Sequence, residues 1–261
     1  MKFEEFQLER NQSLFENEVD YNLSESGVHP LKISEILSSE EQNQILDKEL
    51  YYGYTNGTPE LRKRVLDIYD QNLSLDNVLI TSGSAEANFL SIMTQLNAGD
   101  EIVYMVPNYL QIFHLARSLG IKVKTLPIRQ ELGWQWDPDE LRKLVSSKTK
   151  MIVVCNPNNP TGAIMHHEIM DLVIRIADEN DCWILSDEVY RGAELNGEEC
   201  RSFAFSTEKT IVNAGLSKAY SLPGLRIGWT VGSKTYINRA WSFHDFTAVS
   251  YTHLRAHETS Q

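Results

Sequence analysis

From residue 78 onward the chain alternates between short apolar runs and longer amphipathic stretches. "NVLITSG", "EIVYM", "KVKTL", "KMIVVCNP", "CWILSD" and "KTIVNAG" are strand-sized. Most are separated by segments such as "SAEANFLSIMTQL", "YLQIFHLARSLG" and "HHEIMDLVIRIADEN", whose apolar positions recur at three and four as one face of a helix requires. This alternation predicts an α/β fold with a mostly parallel sheet. "LRIGWTVG" is a further apolar run, making about seven strands with room for one antiparallel member. Ahead of this region, "NLSESGVHP" reads as turn, "LKISEILSSEEQ" as a short helix, and "YYGYTNGTPELRKRVLDIYDQN" as a glycine-containing turn that leads into a helix from about Pro59.

Bulk properties exclude some functions. Thirty-six acidic against 24 basic residues give a net charge of -12, which disfavours general binding to nucleic acid or an anionic membrane. Cys155, Cys182 and Cys200 have no CxxC or ligand-like spacing and are expected as buried free thiols. The start lacks an apolar signal core, and no apolar run reaches membrane-spanning length; the expected location is cytoplasmic. In the terminal "SYTHLRAHETSQ", His253, His257 and Glu258 suggest metal ligands, but polar composition at a terminus favours a frayed end, and no metal is expected.

Ligands of an open α/β sheet collect beyond the carboxyl ends of its strands, and four unusual segments fall there: Ser82 to Glu86, Pro107 to Tyr109, Asn156 to Gly162, and Asp187 to Tyr190. The amides at Ser84 and Ala85 open a helix and can face an anion, or the segment is simply a helix cap. Tyr109 can cover a flat ligand or pack at a helix start. "NPNNPTG" can present the amides of Asn156 and Asn159 to a ligand or serve as a structural turn. Asp187, just after an apolar strand, needs a partner such as a protonated ring nitrogen, with Tyr190 nearby; the alternative is a helix N-cap. Lys218 in "GLSKAYSLPGLRIGW" is a nucleophile candidate if held in a confined, partly apolar pocket. Arg226 can fork onto a phosphate. The set asks for a flat, phosphorylated aldehyde with a ring nitrogen.

The motifs "YGYTNGTPELR", "TSGSAEA", "NPNNPTG", "SDEVY" and "LSKAYSLPGLRIGW", in that order over roughly residues 22 to 249, resemble the large domain of class I/II aminotransferases, the fold-type I enzymes dependent on pyridoxal 5'-phosphate. The resemblance implies a three-layer α/β/α sandwich and a homodimer acting on an amino acid and a 2-oxo acid. It implies that Lys218 forms an aldimine with the cofactor, that Asp187 pairs with the pyridine nitrogen, and that Asn159 and Tyr190 bond the phenolic oxygen. Tyr109 would stack on the ring, and Arg226 with the Ser84 and Ala85 amides would hold the phosphate. Tyr52 or Tyr54 would reach the neighbouring subunit's phosphate, and Gly27 would pass close to substrate. Gly215 stands where the family often has serine or threonine, and Ser217 is the substitute hydroxyl considered.

The implied organisation is an amino-terminal arm with part of a small domain over 1–45, an incomplete cofactor-binding domain over 46–249, and a non-native, adapter-like tail over 250–261. Most of the small carboxy-terminal domain, with its carboxylate-clamping arginine, is expected to be missing, and an inactive chain is among the expectations. "YNLSESGVHPLKISEIL" and "FHDFTAVS" look closer to a capreomycidine-synthase-like subgroup, for which a lyase or cyclising synthase is the alternative. A nicotinamide enzyme is disfavoured because "TSGSAEA" lacks GxGxxG. A non-catalytic ligand-binding chain is the other alternative.

Overall fold

Residues 3–49, 53–69 and 73–247 are described by the computed structural model. The expected tail over 250–261, with His253, His257 and Glu258, lies outside them, as does Tyr52. Among the described residues one sheet of eight strands runs in the order β1-β8-β7-β6-β5-β2-β3-β4. The strands are β1 (Val78–Ser82), β2 (Glu101–Val106), β3 (Lys122–Arg129), β4 (Gln135–Trp136), β5 (Thr149–Cys155), β6 (Trp183–Asp187), β7 (Thr210–Gly215) and β8 (Ile227–Val231).

The seven predicted runs are all strands. The eighth, β4, is only two residues pairing antiparallel with β3, too short to show in a hydrophobic pattern. The expected antiparallel member is β8, which runs opposite to both β1 and β7.

Alternation along each strand divides the interior in two. Ile152 and Val154 point into one cluster with Ile184, Val212, Met170 and Val173; Met151 and Val153 point into the other with Leu185, Ile211, Leu90 and Ile237. The period of two is that of a strand buried on both faces. Helices α4 (Pro59–Asp67), α7 (Pro138–Leu144) and α8 (His167–Glu179) cover the first face, and α5 (Gly83–Gln95), α6 (Gln111–Ser118) and α9 (Lys234–His244) the second. The result is a three-layer α/β/α sandwich.

Before this core come α1 (Gln7–Phe15), α2 (Ile33–Ile36) and α3 (Ser39–Leu46). The single helix expected from "LKISEILSSEEQ" is two. Leu37 is extended, and Ser38 starts α3 with a capping box in which its hydroxyl accepts from the Glu41 amide while Glu41 accepts from the Ser38 amide. None of α1 to α3 carries a buried residue. Cys155, Cys182 and Cys200 are free and buried. Among the described residues no helix is long and apolar enough to cross a membrane.

Candidate active site

Strand register brings the candidate residues to one end of the sheet. Cys155 pairs with Asp187 and Asp187 with Asn213, so β5, β6 and β7 end side by side. Gly215 pairs with Gly228, and Ser82 with Ile227. Antiparallel β8 therefore begins at the edge where β1 and β7 end. That is why Arg226, preceding a strand, joins residues that follow strands. Strand order reverses between β2 and β5, whose loops carry Tyr109 and Asn159, which is where a crevice opens in such a sheet.

Lys218 lies in the loop after β7 and is partly buried, with its side chain 28% exposed. Its Nζ donates to Glu25 Oε1 at 2.9 Å and to Ser26 Oγ at 3.2 Å. This corrects the expected apolar pocket: the amine faces a carboxylate and a hydroxyl. The Glu25 carboxyl is held below its usual range by the Lys218 bond first of all. Gly27 completes the segment, donating its amide to Glu25 Oε1 at 2.6 Å, and a Cβ there would lie 3.6 Å from Lys218 Nζ.

The same amino-terminal segment reaches the two tyrosines. Tyr190 Oη and Ser26 Oγ share a 2.7 Å hydrogen bond, and burial pushes the Tyr190 phenol up to about 12. Tyr109 donates to Glu9 Oε2 at 2.7 Å and meets the edge of Phe6 at a centroid distance of 5.1 Å. Burial, then Glu9, raises the Tyr109 phenol.

Asp187 is buried at the end of β6. Its Oδ2 accepts from Asn88 Nδ2 at 3.0 Å and its Oδ1 from the Val189 amide at 3.3 Å. Desolvation raises its pKa, while these two donors oppose the rise. The residues after it form turn and not helix, which removes the N-cap alternative.

The start of α5 has donors that can serve as an anion cradle. First-turn amides of a helix have no intrahelical acceptor, and the Ser82 side chain offers no cap; Ser84 is half-buried and Ala85 exposed there. Gly83 has φ +73, and a Cβ on it would sit 2.6 Å from Arg226 Nη2. The guanidinium thus lies against the helix start because the side chain is missing. Arg226 itself is held at φ 52 by the turn Pro223–Leu225, and its Nη1 donates to Pro223 O at 3.0 Å. A left-handed non-glycine residue stores strain of a kind that concentrates at functional sites.

The "NPNNPTG" loop separates its asparagines. Asn156 is fully buried, its Oδ1 accepting from the Met165 amide at 2.8 Å, so it braces the chain and does not face a ligand. Asn159 is half-buried at the loop surface. Between them Asn158 donates to Pro107 O at 3.1 Å, tying this loop to the one that carries Tyr109. Ser217 is half-buried beside Lys218. Tyr54 is 59% exposed, with no hydrogen bond to the Lys218 cluster among the described residues.

Sequence reasoning missed Glu25, Ser26, Asn88 and Asn213. The first two lie far from Lys218 along the chain. The asparagines signal only as polar residues interrupting apolar faces of α5 and β7. It also missed His244, fully buried, whose Nδ1 lies 3.1 Å from Glu86 Oε1 and Nε2 3.0 Å from Thr55 O.

The family model described as "Aminotransferase class I and II" matches residues 20–257. An aspartate aminotransferase of Pyrococcus horikoshii is 31% identical over 203 residues, 75% of this chain and 51% of that protein. The aspartate/prephenate aminotransferase of Thermus thermophilus is 32% identical over 193 residues, 71% of this chain and 49% of that protein. A solved PLP-dependent aminotransferase from Streptococcus suis superposes with a TM-score of 0.88 at 32% identity, covering 96% of this chain and 68% of that one. The chain spans about half the length of the curated relatives it matches.

Proposed function

Given that the chain belongs to the class I and II aminotransferases, we propose that it carries the pyridoxal-phosphate site of an enzyme moving an amino group between an amino acid and a 2-oxo acid. The observation that carries this reading is the pairing, at one sheet end, of a buried carboxylate with a helix start that an arginine covers where glycine lacks a Cβ. The donors fit the group: a carboxylate for a protonated ring nitrogen, amides and a guanidinium for a phosphate, and a primary amine for an aldehyde.

In this reading Asp187 holds the ring nitrogen, Asn159 and Tyr190 the phenolic oxygen, and Tyr109 the ring face. Arg226 with the Ser84 and Ala85 amides binds the phosphate, and Ser217 stands in for the hydroxyl that Gly215 lacks. When bound, pyridoxal phosphate supplies an electron sink for the charge left as an α-proton departs. Lys218 Nζ takes that proton from the amino acid and returns it, which requires the amine to leave Glu25 first. Gly27 leaves space beside Lys218 for the substrate.

The arm over 1–45 and the domain over 46–249 belong to a homodimer. Phe3, Leu8, Leu14, Phe15, Tyr21 and Leu23 are exposed on the arm, an apolar surface that a second subunit would cover. In the same reading Tyr54, which is exposed, or Tyr52 would reach the partner subunit's phosphate.

The test is the visible absorption spectrum of the purified chain with added pyridoxal phosphate, beside Lys218→Ala, before and after borohydride. A band that requires Lys218 and is fixed by reduction is expected. A folded chain with no such band would refute the reading.

A further inference from the structure

A line of buried polar side chains behind Asp187 takes no part in the roles above. Asn213 on β7 donates from Nδ2 to Asn88 Oδ1 at 2.9 Å and to Ser91 Oγ at 3.0 Å. Asn88 on α5 donates from Nδ2 to Asp187 Oδ2 at 3.0 Å and to Gln111 Oε1 at 3.2 Å. Asn88 is 2% exposed, and Asn213 and Ser91 are fully buried.

The polarity of this line is determined by its far end. Ser91 Oγ donates to Ala87 O at 2.8 Å and lies 2.9 Å from Tyr236 Oη; with its one hydroxyl proton on Ala87 O, it accepts from Asn213. Asn213 must therefore turn its amide N–H groups to Ser91 and Asn88, and its own Oδ1 is left buried with no hydrogen-bond partner. Its N–H holds Asn88 with Oδ1 toward β7. The Asn88 N–H groups are then aimed at Asp187 and Gln111. A flipped Asn88 would set oxygen against oxygen at Asp187 and Gln111 and N–H against N–H at Asn213, with Asn213 unable to answer.

We propose that Asn88, oriented by Asn213, is a positioning residue that holds the Asp187 carboxylate ionised and in one rotamer, ready for a cationic ring nitrogen. The inference rests on the reading of Asp187 given above. The titratable groups facing Asp187 are Cys155 on β5, Tyr104 on β2, and Tyr109 and Tyr190 in the flanking loops. None of these four is a cation. Against the cost of burial the carboxylate has the Val189 amide and, among the described residues, a single side-chain donor, Asn88.

The experiment follows Asp187 directly, by carboxyl carbon NMR of the full chain without cofactor, the signal assigned by its loss in Asp187→Asn. Asn88→Leu should shift the Asp187 protonation equilibrium upward by about tenfold and raise the dissociation constant for pyridoxal phosphate by a similar factor. Asn88→Asp keeps the volume and guards against a misfolded leucine variant. It should titrate with Asp187 as a coupled pair and recover wild-type behaviour only at pH low enough for its own carboxyl to donate. An Asp187 titration unchanged in folded Asn88→Leu or in Asn88→Asp overturns the proposal. Wild-type chain that takes up no pyridoxal phosphate while Asn88→Leu still moves the Asp187 titration would defeat the cofactor reading and leave the positioning role standing.

Discussion

Gly228 is where the fold and the candidate site meet most tightly. A Cβ there would lie 2.3 Å from the carbonyl carbon of Gly83, 2.4 Å from the Ser84 amide nitrogen and 2.7 Å from Gly83 O. All three are backbone atoms, so no rotamer change relieves the contact. Restoring ordinary separation requires the start of α5 to move by about 1 Å. Overpacking of this kind costs about 1–3 kcal/mol, partly offset by about 0.5–1 kcal/mol because alanine loses less backbone entropy than glycine. Gly228→Ala should therefore lose about 1–2 kcal/mol in urea unfolding. The larger effect falls on the cradle. A 1 Å shift takes the Ser84 amide out of reach of a phosphate oxygen, and one charge-assisted bond is worth about 1.5–3 kcal/mol, so affinity for pyridoxal phosphate should fall about 10- to 100-fold. The control is Gly224→Ala, in the turn that precedes β8, where a Cβ would meet nothing within 4 Å. Lost stability with unchanged affinity would refute the amide cradle; no change in either would refute the packing argument as well.

Three further outcomes follow from buried or paired charges. Glu188 is buried, and desolvation lifts its carboxyl to about 7 from an ordinary 4.5; its Oε2 has no hydrogen-bond partner. Between those values the folded chain binds a proton the unfolded chain releases, so stability present below about pH 4.5 is lost as pH rises through 7, by on the order of 3 kcal/mol. Glu188→Gln should flatten that fall in urea titrations from pH 5 to 8, and an identical slope would show that Glu188 does not cause it. His244→Leu removes the ring that bridges Glu86 to Thr55 and leaves the largely buried Glu86 carboxylate with the Ser82 amide and the Thr247 hydroxyl as its donors; a loss of about 2 kcal/mol is expected, and a variant within 1 kcal/mol of wild type would show water replacing the histidine. Glu25→Gln frees the Lys218 amine from its carboxylate. Stopped-flow mixing with pyridoxal phosphate near pH 7 should give a severalfold faster rise of the Lys218-dependent band, and an unchanged rate would mean that solvent already screens the pair.

How legible these features were depends on the range of the interaction behind each. The strands of the core were readable because burial on both faces demands continuous apolar runs, and α5, α6 and α8 because one face of each is apolar at helical spacing. Helix α7 was missed although Asp137 caps it and Pro138 opens it, since only Leu141 on it is buried. The two residues of β4 exist because Ile128 and Arg129 offer them a ladder, a fact about β3 and not about "QW".

The sequence by itself determined the class of fold, the order of its motifs, and which residues stand at or just beyond strand ends: Ser84, Tyr109, Asn159, Asp187, Tyr190 and Lys218. These follow from local rules, the period of side-chain burial and the placing of glycine, proline and charge at strand ends. Tertiary structure alone decided that antiparallel β8 brings Arg226 to the edge where β1 and β7 end, and that Gly83 and Gly228 let backbone and guanidinium close on one another. It alone placed Glu25 on Lys218, 193 positions away, and Asn88 on Asp187, 99 positions away. Strand register and hydrogen bonds between distant residues are set by the packing of the whole sheet, and a hydrophobic pattern records which residues are buried without recording which of them meet.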